Sequence, residues 1–101
     1  MNLAKRRAIS RNSVLHRVEG VSTTESADGI FLVDPAGGRL YQLNAAGKAI
    51  WMSLEAPIAV DELCVRLTKE FSGDADTIHR DTMTLLQQLK TKMLVRVIGE
   101  E

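Results

Sequence analysis

A chain of 101 residues with 45% apolar content holds material for one domain around one modest core, with little left for an enclosed active site. Thirteen basic residues balance thirteen acidic ones, which excludes the overall positive field that draws proteins to nucleic acid or acidic membranes. The single cysteine, Cys64, excludes an internal disulfide and agrees with a reducing, cytoplasmic location.

The charge imbalance is local. Lys5, Arg6, Arg7, Arg11 and Arg17 occur before any acid, and residues 1–12 read as a flexible basic N-terminal tail ahead of a domain spanning residues 13–101. No continuous apolar stretch follows these basic residues, so they do not form a secretory signal, and no run reaches transmembrane length.

Residues 14–19, with Val14, Leu15 and Val18 among polar neighbours, predict a first strand. Residues 20–28 are glycine, serine, threonine and acid, and read as a loop. The short, β-branched run Gly29-Ile30-Phe31-Leu32-Val33 predicts a strand covered on both faces. Asp34-Pro35-Ala36-Gly37-Gly38 supplies turn chemistry, so residues 39–43 should return antiparallel as the second arm of a hairpin.

At Asn44 the apolar spacing changes from two residues to three and four. The Asn44 side chain suits a helix cap, and Ala46, Ile50 and Leu54 with Leu43 and Trp51 make a short helix that Pro57 ends. Val60, Leu63, Cys64, Leu67 and Phe71 form one stripe of a second helix, stopped by Ser72-Gly73. A third, longest helix runs from Asp74 or Asp76 to Met93, with acids at its start and Lys90 and Lys92 near its end. Its apolar stripe is Ile78, Leu85, Leu89 and Met93, with Thr82 between. Residues 94–98 read as a last strand. The order β-β-β-α-α-α-β predicts an α+β, winged-helix-like domain, a three-stranded antiparallel sheet packed on three helices.

Tyr41-x-Leu43-Asn44-x-x-Gly47-x-x-Ile50-Trp51-x-x-Leu54, then Val60-Asp61-Glu62-Leu63 with Leu67, Glu70 and Phe71, then Asp81-x-x-x-Leu85-Leu86-x-x-Leu89 with Leu94, resembles the PqqD-like family. This is the family of coenzyme PQQ synthesis protein D and of recognition elements for ribosomally made, modified peptides. The resemblance covers residues 14–98. It implies a noncatalytic peptide chaperone, without cofactor or metal, that binds the leader of a precursor peptide. Such a protein presents the peptide to a modifying enzyme, such as a radical S-adenosylmethionine enzyme or a leader peptidase. The family's leader lies as an added strand against the third strand and third helix. Carried onto this chain, that site comprises Arg39, Leu40, Tyr41, Gln42 and Leu43 with the exposed flank of residues 76–92. Two departures stand out. Met93 replaces a glycine common at the third helix's end, so that helix is expected to run on or to end without a left-handed cap. Ala59 replaces a serine or threonine, which removes a capping oxygen worth about 1 kcal/mol.

The residues themselves supply no catalytic set. His16 and His79 lie in different elements, no histidine or cysteine pair has metal-ligand spacing, and Cys64 falls on an apolar stripe. Asp74, Asp76 and Asp81 suit a helix N-terminus. A strand edge needs only its backbone to bind a peptide, while flanking side chains select it. On the strand, Leu40 and Gln42 point one way and Arg39, Tyr41 and Leu43 the other, with Tyr41 either toward the helices or forming an aromatic wall for a peptide side chain. On the third helix, Met83 and Leu86 spread beyond the core sector beside His79 and Lys90. With Thr82, these residues either widen the core or wall a groove. Trp51 reads as the clamp between the first helix and the sheet. Two other functions compete. One is a winged-helix DNA-binding regulator reading through the third helix with His79, Arg80, Lys90 and Lys92. The other is a dimerisation module in which the free edge, or a swapped strand, pairs with a second copy.

Overall fold

The protein is described by a computed structural model, which defines residues 9–98. Its elements in chain order are β1 (Val14–Arg17), β2 (Ser22–Ser26), β3 (Gly29–Val33), β4 (Leu40–Asn44), α1 (Ala45–Ser53), β5 (Ile58–Ala59), α2 (Val60–Glu70), α3 (Ala75–Thr91) and β6 (Val95–Ile98). The class is α+β, as the sequence predicts. The sheet differs: there are two antiparallel three-stranded sheets, ordered β5-β1-β6 and β2-β3-β4, and the likeness to a winged helix is loose.

The difference arises in segments without apolar alternation. Ser22-Thr23-Thr24-Glu25-Ser26 is almost wholly exposed, so it carries no inward face to reveal a strand. It forms β2 because β3 offers it a ladder in register from Ser22 against Val33 to Ser26 against Gly29. β5 is only two residues long and pairs Ile58 and Ala59 with Leu15 and Val14. The last strand pairs with the first, Leu15 opposite Val97, so the chain's two ends close one sheet while the middle hairpin stands as the other.

Both sheets and the three helices meet in one core. Leu15 from β1, Ile30 and Leu32 from β3, Trp51 and Leu54, Leu63, Leu86 and Leu94 are all fully buried. Trp51 is its largest side chain. The Arg17 guanidinium lies over the indole, 4.7 Å from the ring centroid, and donates to the Trp51 carbonyl through Nε at 3.2 Å and Nη2 at 2.9 Å. This arginine ties the terminal sheet to the end of α1. Burial pushes its pKa down from the ordinary value, opposed by the charge of Glu55.

Of the expected tail, residues 1–8 lie outside the described residues, and residues 9–12 are docked. Ile9 is buried against the core. The carbonyls of Ser13 and Arg11 accept hydrogen bonds from the N–H groups of Val60 and Asp61 at 3.0 and 3.1 Å. They satisfy the first turn of α2, where Ala59 as cap residue makes no side-chain bond.

Helix α3 stops at Thr91, earlier than expected, in a left-handed turn made by Met93 at φ 62°. Leu94 N–H donates to the Leu89 carbonyl and Met93 N–H to the Lys90 carbonyl, each at 2.9 Å. This is the glycine-type Schellman termination with methionine in the glycine position. The expectation that the cap would be lost is therefore corrected. Tertiary constraint forces it, because Leu94 is fully buried and Val95 must enter the sheet.

Candidate functional site

The site starts with a turn. The Asp34 carboxylate accepts from Gly37 N–H, its carbonyl accepts from Gly38 N–H at 3.0 Å, and its own N–H donates to the Arg39 carbonyl at 3.0 Å. With Gly38 at φ 69°, this is a turn followed by a one-residue bulge. The bulge sets the ladder phase: Leu32–Tyr41 and Ile30–Leu43 become hydrogen-bonded pairs, and Val33–Leu40, Phe31–Gln42 and Gly29–Asn44 the pairs between them. The backbone N–H and C=O groups of Leu40 and Gln42 therefore point away from β3, while Asn44, as cap of α1, gives its carbonyl to the helix. Among the described residues nothing pairs with that side, since β4 is the end strand of its sheet.

The strand's other periodicity places its side chains. Tyr41 and Leu43 are half-buried against the core, while Leu40 is 64% exposed and Gln42 is exposed. At the strand's end Asn44 caps α1, its Oδ1 accepting from Gly47 N–H at 2.9 Å. A Cβ at Gly47 would meet the Leu43 Cβ at 2.9 Å. The sharp strand-to-helix corner therefore requires glycine there.

Helix α3 forms the opposite bank. Lys92 places its ammonium 5.7 Å from the Tyr41 ring centroid. At the other end, a cleft of about 450 Å³ joins Asn44, Gly47 and Ile50 to Phe71, Ile78 and Leu85. Asp81, Thr84 and Gln88 stand on its α3 side. Asp81, Leu85, Gln88 and Lys92 recur at four, three and four residues, one face of the helix. That face looks across at β4.

The sequence-predicted residues divide accordingly. Arg39, Leu40, Tyr41, Gln42 and Leu43 lie at the open edge. Leu86 is sealed in the core at 0% exposure and widens it, whereas Thr82, at 1% exposure, also lines the floor of the cleft. His79 and Met83 lie on the opposite flank of α3, His79 beside Arg11, Asp61 and Cys64, and Met83 beside Ile9 and Gln87. Lys90 falls between them at about 100° per residue. Sequence reasoning missed Asp81, Gln88 and Lys92 as groove residues and took Ile78 and Leu85 only as core. Both flanks of α3 border its apolar stripe equally, so the sequence signal is symmetric. Only the shape of the stripe, in which Leu85 is less buried than Leu86 and Leu89, distinguishes the groove side.

Cys64 is buried, and burial above all pushes its thiol pKa up, with the charge of Asp61 adding to the effect. Among the described residues no group of three histidine, cysteine or acidic side chains is placed to hold a metal ion. No described helix is long and apolar enough to cross a membrane. On α3, Arg80 pairs with Asp81 at 4.0 Å, so duplex DNA approaching this helix would meet carboxylates as well as cations.

The fold and its unpaired border facing a helix define a class of small α+β domains with an open groove. The chain belongs to the PqqD family: the family described as coenzyme PQQ synthesis protein D matches residues 29–95. No curated protein is detectably similar in sequence. Three solved structures are similar. TbiB1 in complex with the TbiA(beta) leader peptide is 27% identical, with a TM-score of 0.73 over 85% of this chain and 98% of that one. The PqqD truncation of Methylobacterium extorquens PqqCD, a functional and stand-alone recognition element for ribosomally synthesised and modified peptides, is 19% identical. Its TM-score is 0.75 over 93% of this chain and 99% of that one. Lasso peptide synthetase B1 complexed with the leader peptide is 22% identical, with a TM-score of 0.70 over 81% and 96%. At those identities the second and third likenesses bear on the fold alone.

Proposed function

We propose that this protein is a noncatalytic recognition element that holds the leader segment of a ribosomally made precursor peptide and presents it to a modifying enzyme. The observation that carries the reading is the open edge of β4 facing α3 across a partly apolar cleft. An extended peptide satisfies the outward backbone groups of Leu40 and Gln42 as a fourth strand, and its alternate side chains fall toward α3. Membership in the PqqD family and the likeness to TbiB1, whose structure contains a leader peptide, support it.

The enzyme served is a radical S-adenosylmethionine enzyme, a leader peptidase or another peptide-modifying enzyme acting on the segment beyond the leader. The same border can pair with a second copy of the chain, and dimerisation then competes with peptide capture.

The test uses proline. The Gln42 N–H points away from β3, so Gln42→Pro removes one outward donor and sterically blocks an added strand while leaving the β3 ladder intact. With a peptide selected for binding to the parent protein, affinity is expected to fall at least about tenfold, equivalent to about 1.4 kcal/mol. Amide shifts of the parent protein are expected to move at residues 40–44. Unchanged affinity in the proline variant, or shifts confined to other elements, would remove the strand-addition reading.

A further inference from the structure

The groove carries opposite charges at its two ends, and the ends correspond to opposite ends of β4. At the Asn44 end stands Asp81 on the rim of the cleft. At the other end stand Lys92, over Tyr41, and the exposed Arg39 just before β4. A helix rising about 1.5 Å per residue separates Asp81 from Lys92 by about 16 Å. A strand at about 3.3 Å per residue covers Arg39 to Asn44 in the same length. The two banks are thus matched and run in opposite directions.

We infer that this polarity selects the leader's charge order and fixes the direction in which it docks. The inference rests on the strand-addition reading above. The sheet β2-β3-β4 is antiparallel throughout, and antiparallel addition is the more stable continuation. An added strand then enters at Asn44 and leaves at Arg39. Its helix-facing side chains occur every second residue. The recognised segment is therefore one in which a lysine or arginine comes first, opposite Asp81. An apolar residue beside it, at the same Asn44 end, enters the cleft lined by Ile50, Ile78 and Leu85. An aspartate or glutamate comes about four positions after the basic residue, opposite Lys92 and Arg39. The reversed order places like charges together at both ends.

The Asp81–Arg80 pair does not cancel this polarity. Both side chains are about three-quarters exposed, and an exposed pair of that length exchanges readily with solvent or an incoming cation. Three exposed contacts acting together give about a tenfold preference for one charge order over the other at low salt, declining as salt rises.

A random peptide display library provides the probe, because it supplies binders without knowledge of the natural leader. It is selected in parallel against the parent protein and against a variant carrying Asp81→Lys, Arg39→Glu and Lys92→Glu together. These three positions are exposed, and thermal melting checks that the variant is folded. The parent pool is expected to enrich a basic residue ahead of an acidic one about tenfold over the reverse order, and the variant pool to invert that preference. The same charge order in both pools, or no order in either, would overturn the inference while binders that shift the amides of Leu40 and Gln42 keep strand addition standing. Binders that leave those amides unmoved, or a library yielding none, would overturn both.

Discussion

Single residues set the stability of this small core. Trp51 is fully buried, and its indole N–H has no hydrogen-bond partner among the described residues. Trp51→Ala is expected to lower the unfolding free energy by about 3–5 kcal/mol through lost area and the cavity left behind. Trp51→Phe leaves a smaller void and removes the unsatisfied N–H, an opposing effect of about 1–3 kcal/mol; urea unfolding should therefore place it much nearer the parent. Met93 works in the reverse direction. A side chain in the left-handed region carries a steric penalty of about 1–2 kcal/mol, partly offset by the greater unfolded-state freedom of glycine. Met93 is 74% exposed, so its side chain buries little in return. Met93→Gly is expected to raise stability by about 0.5–1 kcal/mol in the same assay. A lower midpoint would show that the methionine side chain compensates for its strain.

The secondary elements depend on neighbours that their own sequences do not name. Helix α2 lacks a capping side chain, and the carbonyls of Arg11 and Ser13 take its first N–H groups instead. The Arg11 side chain adds an exposed pair to Asp61 at 3.6 Å, which contributes little. Ile9 is buried nearby, its N–H donating to Gln87 Oε1 at 3.3 Å. Removal of residues 1–12 is therefore expected to cost about 3 kcal/mol, mainly the burial of Ile9 with the loss of the Arg11 bond. Denaturant melting of the shortened chain checks this. An unchanged midpoint would return residues 9–12 to the status of a dispensable tail.

At the scale of the whole molecule, two sheets divide the work. The β5-β1-β6 sheet closes the chain's ends, and Arg17 fastens it to Trp51. The β2-β3-β4 sheet is left to present an edge. Its integrity depends on Gly29, where a Cβ would overlap the Leu43 carbonyl oxygen. Gly29→Ala is expected to cost about 1–3 kcal/mol by forcing β3 and β4 apart. Because the displaced backbone belongs to the docking strand, leader binding should weaken even at temperatures where the variant remains folded. A calorimetric titration showing parental affinity in the folded variant would indicate that the edge absorbs the distortion.

The chain by itself determined most of the scaffold. Turn residues 34–38, the Asn44 cap and three amphipathic stripes are local signals, and local signals survive in sequence because a few neighbouring residues satisfy them. The orientation of Tyr41 toward the helices was legible for the same reason, whereas β3 buries only its Ile30 and Leu32 face, and Phe31 and Val33 on the other face stay partly exposed, against the expectation of two covered faces. Tertiary structure decided what local pattern could not encode. The polar β2 exists because β3 pairs with it, β1 belongs to a sheet with the chain's other end, and Met93 adopts a glycine conformation because Leu94 and Val95 are anchored beyond it. It also chose the flank of α3 that faces β4. Leu86 went into the core, Thr82 to the floor of the cleft, His79 and Met83 to the far side, and Asp81, Leu85, Gln88 and Lys92 to the groove. A helical stripe specifies which side is buried, but its two borders are equivalent until the sheet packs against one of them.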